Sequence, residues 1–252
     1  MIKKNVVMEG DCLKLFKDVP DESVDLIIAD PPYNLGKDFG NGSDKWDDVH
    51  KWVDWSKKWI KECKRVLKPT GSLFIYGIHK YICYLQVYLY ELNMVYGRQF
   101  IWTYENSWSR YSRSPASHYE PLLWFTKTKN YTYIQIREPY KSEERLKHKI
   151  IKNGKVWTPN PEGRHGGDIW KFPVLAGKRF ENERVNHPTQ KPLSITNRII
   201  THFSNSGDTI LIPFCGSGSE CVSAKMNGRE FIAFEINQDY IEIAKKRLEE
   251  VK

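Results

Sequence analysis

The apolar run Val24–Ala29 (VDLIIA) stops abruptly in Asp30-Pro31-Pro32-Tyr33. A compact run of this kind reads as a buried strand of a parallel sheet. The prolines end it, because each fixes φ and gives up an amide donor. The chain must therefore place an acid, a rigid corner and an aromatic ring at the carboxyl end of a buried strand. Ligands bind at that end in open α/β sheets. Asp30 accepts hydrogen bonds when ionised, and the corner leaves carbonyls free as further acceptors. Tyr33 offers a flat face. Acceptors beside a stacking plate suit a planar ring that carries an exocyclic amino group.

The flanking sequence alternates strand and helix. Strands are predicted at Asn5–Met8, Val24–Ala29 and Ser72–Gly77. Helices are predicted from Cys12, from about Val49 to a stop at Lys68-Pro69 and Gly71, and over Lys80–Glu91. Trp55, Trp59 and Trp124 fall at apolar spacing and are expected in the core. The same rhythm returns late in the chain: helix Pro192–Phe203, strand Asp208–Ile212, helix Ser219–Asn227, strand Phe231–Glu235 and helix Gln238–Glu249. Such βαβ repetition builds a mostly parallel sheet with helices on both faces.

The strand ending at Ile212 runs through Pro213 into Phe214-Cys215-Gly216-Ser217-Gly218, and Glu235 closes the next strand. Glycines let a backbone approach a ligand closely, and a carboxylate at the second strand tip can accept from ribose hydroxyls. The third glycine of a dinucleotide fingerprint is replaced by Cys221. This turn is a poor pyrophosphate cradle and suits an adenosine ligand without phosphates.

Residues 103–186 differ. They hold 16 Lys and Arg against 9 Asp and Glu, so they carry most of the net charge of +8. They are rich in Ser, Asn, Pro, Gly and aromatics, with weak periodicity, and read as an insertion with little core. YTYIQIREPY is a candidate edge strand, Asn153-Gly154 a turn, and TPNPEGRHGGD a loop. A basic excess this concentrated suits a polyanion, nucleic acid first. The five cysteines are odd in number and contain no Cys-x-x-Cys pair, which argues against a disulfide framework and a zinc site. Neither a membrane span nor a signal peptide is evident, and a cytoplasmic protein is expected.

These motifs resemble those of the DNA amino-methyltransferases, which use S-adenosylmethionine to methylate adenine N6 or cytosine N4. The resemblance rests on Asp30-Pro31-Pro32-Tyr33, on Phe214–Gly218 and on His187-Pro188-Thr189-Gln190-Lys191-Pro192. Their order is that of the permuted, beta group. The resemblance implies a Rossmann-like methyltransferase fold, with residues 1–102 and 187–252 as the catalytic and cofactor-binding domain. Residues 103–186 would be the target-recognition region inserted in it. It implies a bacterial, archaeal or phage source and leaves a homodimer open.

The family pattern assigns catalysis to Asp30, Pro31, Pro32 and Tyr33. Asp30 and the Pro31 carbonyl would grip the amino group, and Tyr33 would stack on a flipped-out base. Cofactor contacts would come from Asp11, Cys12, Asp30, Thr189, Lys191, Pro213, Phe214, Cys215, Gly216, Ser217, Gly218, Ser219, Glu235 and Ile236. Glu235 would hold the ribose, Ile236 the adenine and Lys191 the methionine carboxylate. No metal is needed. DNA contacts are expected from Lys37, Arg110, Arg113, Ser114, His118 and Tyr119, with Lys37-Asp38-Phe39 in a loop over the target base. Glu120 resembles a residue near the family's target pocket. Two departures stand out: Ile212 replaces a frequent acid, and Ser219-Glu220 replaces two frequent threonines. Asp30 favours adenine N6 within a restriction–modification system. The alternatives are a cytosine-N4 enzyme, an RNA or protein-glutamine methyltransferase, or a non-catalytic nucleic-acid-binding subunit with the same fold.

Overall fold

The computed structural model of the chain describes residues 2–40, 44–105, 113 and 115–251. The first half runs Val6–Glu9 (β1), Cys12–Leu15 (α1), Val24–Ala29 (β2), Val49–Val66 (α2), Leu67–Tyr76 (β3), Ile82–Glu91 (α3), Val95–Thr103 (β4) and Tyr119–Thr126 (β5). Short elements follow: Arg137–Glu138 (β6), Glu144–Lys147 (α4), Ile150–Lys152 (β7), Lys155–Trp157 (β8), Arg164–His165 (β9) and Ile169–Lys171 (β10). The chain closes with Leu193–Phe203 (α5), Thr209–Ile212 (β11), Ser219–Met226 (α6), Glu230–Glu235 (β12) and Gln238–Glu249 (α7).

Eight strands form one sheet in the order β1-β12-β11-β2-β3-β5-β4-β10. β5 pairs antiparallel with both neighbours, and the other pairings are parallel. The fold is therefore α/β and Rossmann-like, with a mostly parallel sheet. Alternate residues of each strand feed two separate cores. Leu26, Ile28, Phe74 and Ile210 pack with Ile195 and Ile199 of α5, Cys221 of α6 and Ile241 of α7. Ile27, Ala29, Leu73 and Ile75 pack on the other face with Cys12, Trp52, Trp59, Ile60 and Leu85 from α1 to α3.

Two expectations change. α2 does not stop in a turn at Pro69 and Gly71. Asp48 caps its start by accepting from the His50 N–H at 2.9 Å, and Leu67 is already extended, so the helix passes straight into β3. The pairing with β2 jumps from Val24↔Leu67 to Leu26↔Ser72, which keeps Pro69 out of the ladder, where its missing donor would break a bond.

The second change concerns the basic middle region, which is not a simple insertion. Its segment Tyr119–Thr126 is β5, an interior strand that buries Leu122, Leu123, Trp124 and Phe125. Only about its first two residues read as surface; the apolar run behind Pro121 seats it between β3 and β4. YTYIQIREPY forms no edge strand beyond the two residues of β6, paired with β9. Asn153 and Gly154, both at positive φ, turn the β7–β8 hairpin. Trp59 and Trp124 are buried as expected, whereas Trp55 reaches a cleft at the strand ends.

Candidate active site

The carboxyl ends of β1, β12, β11 and β2 come level at one edge of the sheet. A cleft of about 350 Å³ opens there. At its β11–β12 side, Gly216 and Gly218 sit at φ 50° and 78°. A Cβ on Gly216 would lie 2.9 Å from His187 Nε2, and one on Gly218 would lie 2.7 Å from Ala244 Cβ. Both positions therefore require glycine on two counts. Glu235 binds the turn to its own strand. Its carboxylate accepts from Gly216 N–H at 2.6 Å and from Ile236 and Asn237 N–H at 2.9 Å. Burial pushes its pKa up, and those backbone donors oppose the rise. Three bonds leave one of roughly four acceptor positions for a ligand hydroxyl.

Asp11 and Cys12 form the neighbouring wall. Asp11 caps α1 by accepting from Leu13 N–H at 2.9 Å, and burial, with the Asp11 charge, pushes the Cys12 thiol up to about 12. Pro213, Phe214, Cys215 and Ser217 line the cleft with Gly216, and Ile236 stands 60% exposed at its lip. Gly218 and Ser219 lie just behind it and shape the turn.

At the β2 end, Asp30 is already occupied. The Tyr33 hydroxyl donates to Oδ1, and Lys191 Nζ lies 2.9 Å from Oδ2. Lys191 is 4% exposed, donates to the Tyr33 hydroxyl at 3.2 Å and lies 3.4 Å from Glu120 Oε2, an ion pair too poorly aligned for a hydrogen bond. Burial opposes its charge, but Asp30 and Glu120 more than offset this, so its pKa is raised. In the free protein its ammonium thus faces the acids of the β2 corner, Asp30 and Glu120. Tyr33 is 8% exposed, with Lys191 Nζ 5.3 Å from its ring centre. Burial first, and Asp30 next, hold its phenol well above the ordinary range.

Asp44 shapes the strap that follows. It accepts from the N–H groups of Tyr33, Leu35 and Lys37 at 3.1, 3.2 and 2.7 Å. Asn34 takes φ 59° and accepts from Trp46 N–H at 2.8 Å. Asn237, the cap of α7, donates to the Phe39 carbonyl at 2.6 Å and ties the strap across the cleft. Trp52 Nε1 donates to the Pro32 carbonyl at 2.8 Å. The cleft is thus walled by a glycine turn and an acid-capped strand on one side and by an Asp–Tyr–Lys cluster on the other.

Residues 24–246 match the family model described as DNA methylase, the N6/N4 amino-methyltransferases. The protein belongs to that family. The methylase is 33% identical over 96% of its length to the type II methyltransferase M1.MboII of Moraxella bovis, 95% of which is covered. It is 36% identical to the DNA adenine methyltransferase YhdJ of Escherichia coli, covering 96% of this chain and 82% of that protein. The solved complex of M1.HpyAVI with SAM superposes with a TM-score of 0.65 at 25% identity, covering 96% and 98% of the two chains. S-adenosylmethionine is the cofactor of the methylase. The cleft fits that molecule: two glycines admit close backbone approach, and Glu235 keeps an acceptor free.

The methylase brings together Asp11, Cys12, Asp30–Tyr33, Lys37, Thr189, Lys191, Pro213–Ser217, Glu235 and Ile236 around one cleft. Lys37 belongs to this cleft, and burial lowers its pKa. Thr189 N–H donates to His187 Nδ1 at 3.3 Å. Arg110 and Ser114 lie outside the described residues. Arg113, His118 and Tyr119 are exposed, His118 just ahead of β5 and Tyr119 at its first position, with the Tyr119 ring 5.5 Å from that of His79. Asp44, Trp55, Tyr76, Glu220 and Asn237 escaped the sequence reading as site residues. Only Glu220 left a signal, as a departure from the family pattern. Among the described residues no cluster of acids, His and Cys is built to hold a metal, and no helix is long and apolar enough to cross a membrane.

Proposed function

We propose that the protein is a site-specific DNA adenine-N6 methyltransferase acting on a flipped-out adenine, as the modification enzyme of a restriction–modification system. The observation that carries the reading is the Asp30–Tyr33–Lys191 cluster, set beside a glycine turn suited to S-adenosylmethionine. The names of M1.MboII and YhdJ support the type II and adenine assignments, and the motif order supports the permuted beta group. The basic stretch 103–186 supports a nucleic-acid partner.

The bound cofactor supplies an electrophilic methyl group on its sulfonium. An exocyclic amino group is a poor nucleophile while its lone pair is delocalised into the ring. Asp30 accepts one of its N–H bonds and the Pro31 carbonyl another, which favours a pyramidal nitrogen and aims its lone pair. Orientation and stabilisation of the growing positive charge are the main contributions. In the free protein the Tyr33 hydroxyl holds one oxygen of Asp30 and Lys191 the other, which leaves about two of its roughly four acceptor positions for the target amine. The amino group is out of reach inside a duplex, so the base leaves the stack.

Labelled cofactor with DNA or RNA, followed by nucleoside analysis, tests the reading. N6-methyladenine in DNA is expected. Asp30→Ala should lower turnover about a hundred- to a thousandfold, with cofactor affinity preserved. N4-methylcytosine as the product would move the protein to the cytosine branch, and label in RNA alone would refute the DNA assignment.

A further inference from the structure

Glu220 has no part in the chemistry above, yet it is among the most confined acids of the molecule. It is the second residue of α6, directly behind the glycine turn, and it lines the cleft. It is 4% exposed, and its Oε1 has no hydrogen-bond partner among the described residues. A buried carboxylate oxygen without a donor is costly, by far more than one in water. Among the described residues its surroundings offer no free cation. Asp30 at the end of β2, Tyr76 of β3, Cys215 of the turn, Lys191 ahead of α5 and Arg247 of α7 are the titratable groups that face it. Lys191 is committed to Asp30 and Glu120. Arg247 donates to the Ser217 carbonyl at 2.6 Å and to the Ser219 hydroxyl at 3.1 Å. The Tyr76 hydroxyl is itself buried without a partner.

Nothing among the described residues donates to Oε1, and the cleft that Glu220 lines opens to a ligand that can. S-adenosylmethionine carries two positive groups, and only one of them has hydrogens to donate: the sulfonium has none, whereas the α-ammonium has three. We propose that the Glu220 carboxylate anchors the α-ammonium of the cofactor. The inference rests on the assignment of the cleft to S-adenosylmethionine. Burial first, and the Asp30 charge next, hold Glu220 at about 7 in the free protein, while its own backbone N–H, then Lys191 and Arg247, pull the other way. An ammonium beside it favours the ionised form. Binding below that pH then releases a proton, so affinity rises with pH until the ligand's own amino group, with a pKa of about 8, begins to lose its charge.

Titration calorimetry of the intact protein and of Glu220→Gln tests this, with S-adenosylmethionine, S-adenosylhomocysteine and methylthioadenosine as ligands. Glu220→Gln should weaken the first two alike, by about 10- to 100-fold. Methylthioadenosine, which lacks the ammonium, should bind both proteins equally. Affinity of the unaltered protein for S-adenosylmethionine should rise between about pH 6 and about pH 7.5, with proton release measured in two buffers, and the variant should lose the rise. Unchanged affinities, loss for S-adenosylmethionine alone, or binding without proton release would each overturn the proposal. Glu235→Gln separates the two readings. If it too binds normally, the cleft assignment fails; if it loses binding while Glu220→Gln does not, only the anchor is refuted.

Discussion

At the glycine-turn end of the cleft, Glu235 holds three backbone N–H groups and two glycines leave no room for a side chain. At the other end, Asp30 holds Lys191 and the Tyr33 hydroxyl, side chains that can move away. The first end is built from main chain and cannot rearrange cheaply, so it offers a ligand a fixed shape. The second is an exchangeable cluster of side chains, in which an incoming amine shares Asp30 with the donors already there or takes the place of one. This division suits a cofactor that every turnover shares and a target that must be selected, because a polar cluster of this kind gives net binding only to a group that can donate to it.

Removing the cation from the exchangeable end should have the largest effect on stability. Lys191→Met leaves Asp30 and Glu120 together in a buried site, at a cost of about 3–5 kcal/mol, to be read from urea unfolding at neutral pH. Adding Glu120→Gln should recover part of that loss; no recovery would mean that the cluster is not electrostatically held.

The fixed end is broken by Gly216→Val, which forces a β-branched residue to φ 50° against the His187 ring. We expect a loss of about 1–3 kcal/mol together with at least a tenfold fall in cofactor affinity. If affinity survives, the turn is less rigid than the contrast requires.

His187, which packs under that turn, gives a pH signature. Burial lowers its pKa from 6.5 to about 4. The unfolded chain takes up a proton near pH 6.5 that the folded protein refuses. Stability is therefore full above that pH and lost as pH falls toward 4, by about 1–3 kcal/mol after allowance for partial exposure. Denaturant titrations at several pH values should show the slope, and His187→Gln should abolish its share.

The smallest effect on stability should come from the β7–β8 hairpin, where Ile151 is 74% exposed and Lys152 and Lys155 flank the turn. The double change Lys152→Ala, Lys155→Ala should alter stability by less than about 0.5 kcal/mol. If the hairpin meets DNA, the slope of log affinity against log salt should fall by about two. An unchanged slope would leave the hairpin out of the nucleic-acid surface.

The fixed end was the more legible in the sequence. Its signals are local: an apolar run, two glycines and an acid closing the next strand, each diagnosing its own backbone. β2, α7 and the C-terminal βαβ unit were readable for the same reason, since burial follows directly from periodicity. The exchangeable end was half hidden. Asp30 and Tyr33 were plain at their corner, but Lys191 lies 158 residues from Tyr33 in the chain, and only the sheet brings the two together. Asp44 and Asn237 carry no local signal, because their partners, Tyr33 and Lys37 for the one and Phe39 for the other, meet them only in the fold. β5 was obscured by its neighbours: a five-residue apolar run flanked by basic, serine-rich sequence takes on the character of the flanks. Its antiparallel insertion depends on strands that pattern reading cannot order.

The alternation of β2 also limits how this chain can change. Ile27 and Ala29 fill one core, and Leu26 and Ile28 the other. The strand thus indexes Asp30 to the cleft by parity. Losing or gaining a single codon between Val24 and Ala29 would exchange the contents of the two cores and turn the acid to the opposite face. Point substitutions among these aliphatic residues are graded in their cost, whereas a one-residue frame slip is all-or-none. The segment should therefore tolerate variation in side-chain size across lineages while its length stays invariant.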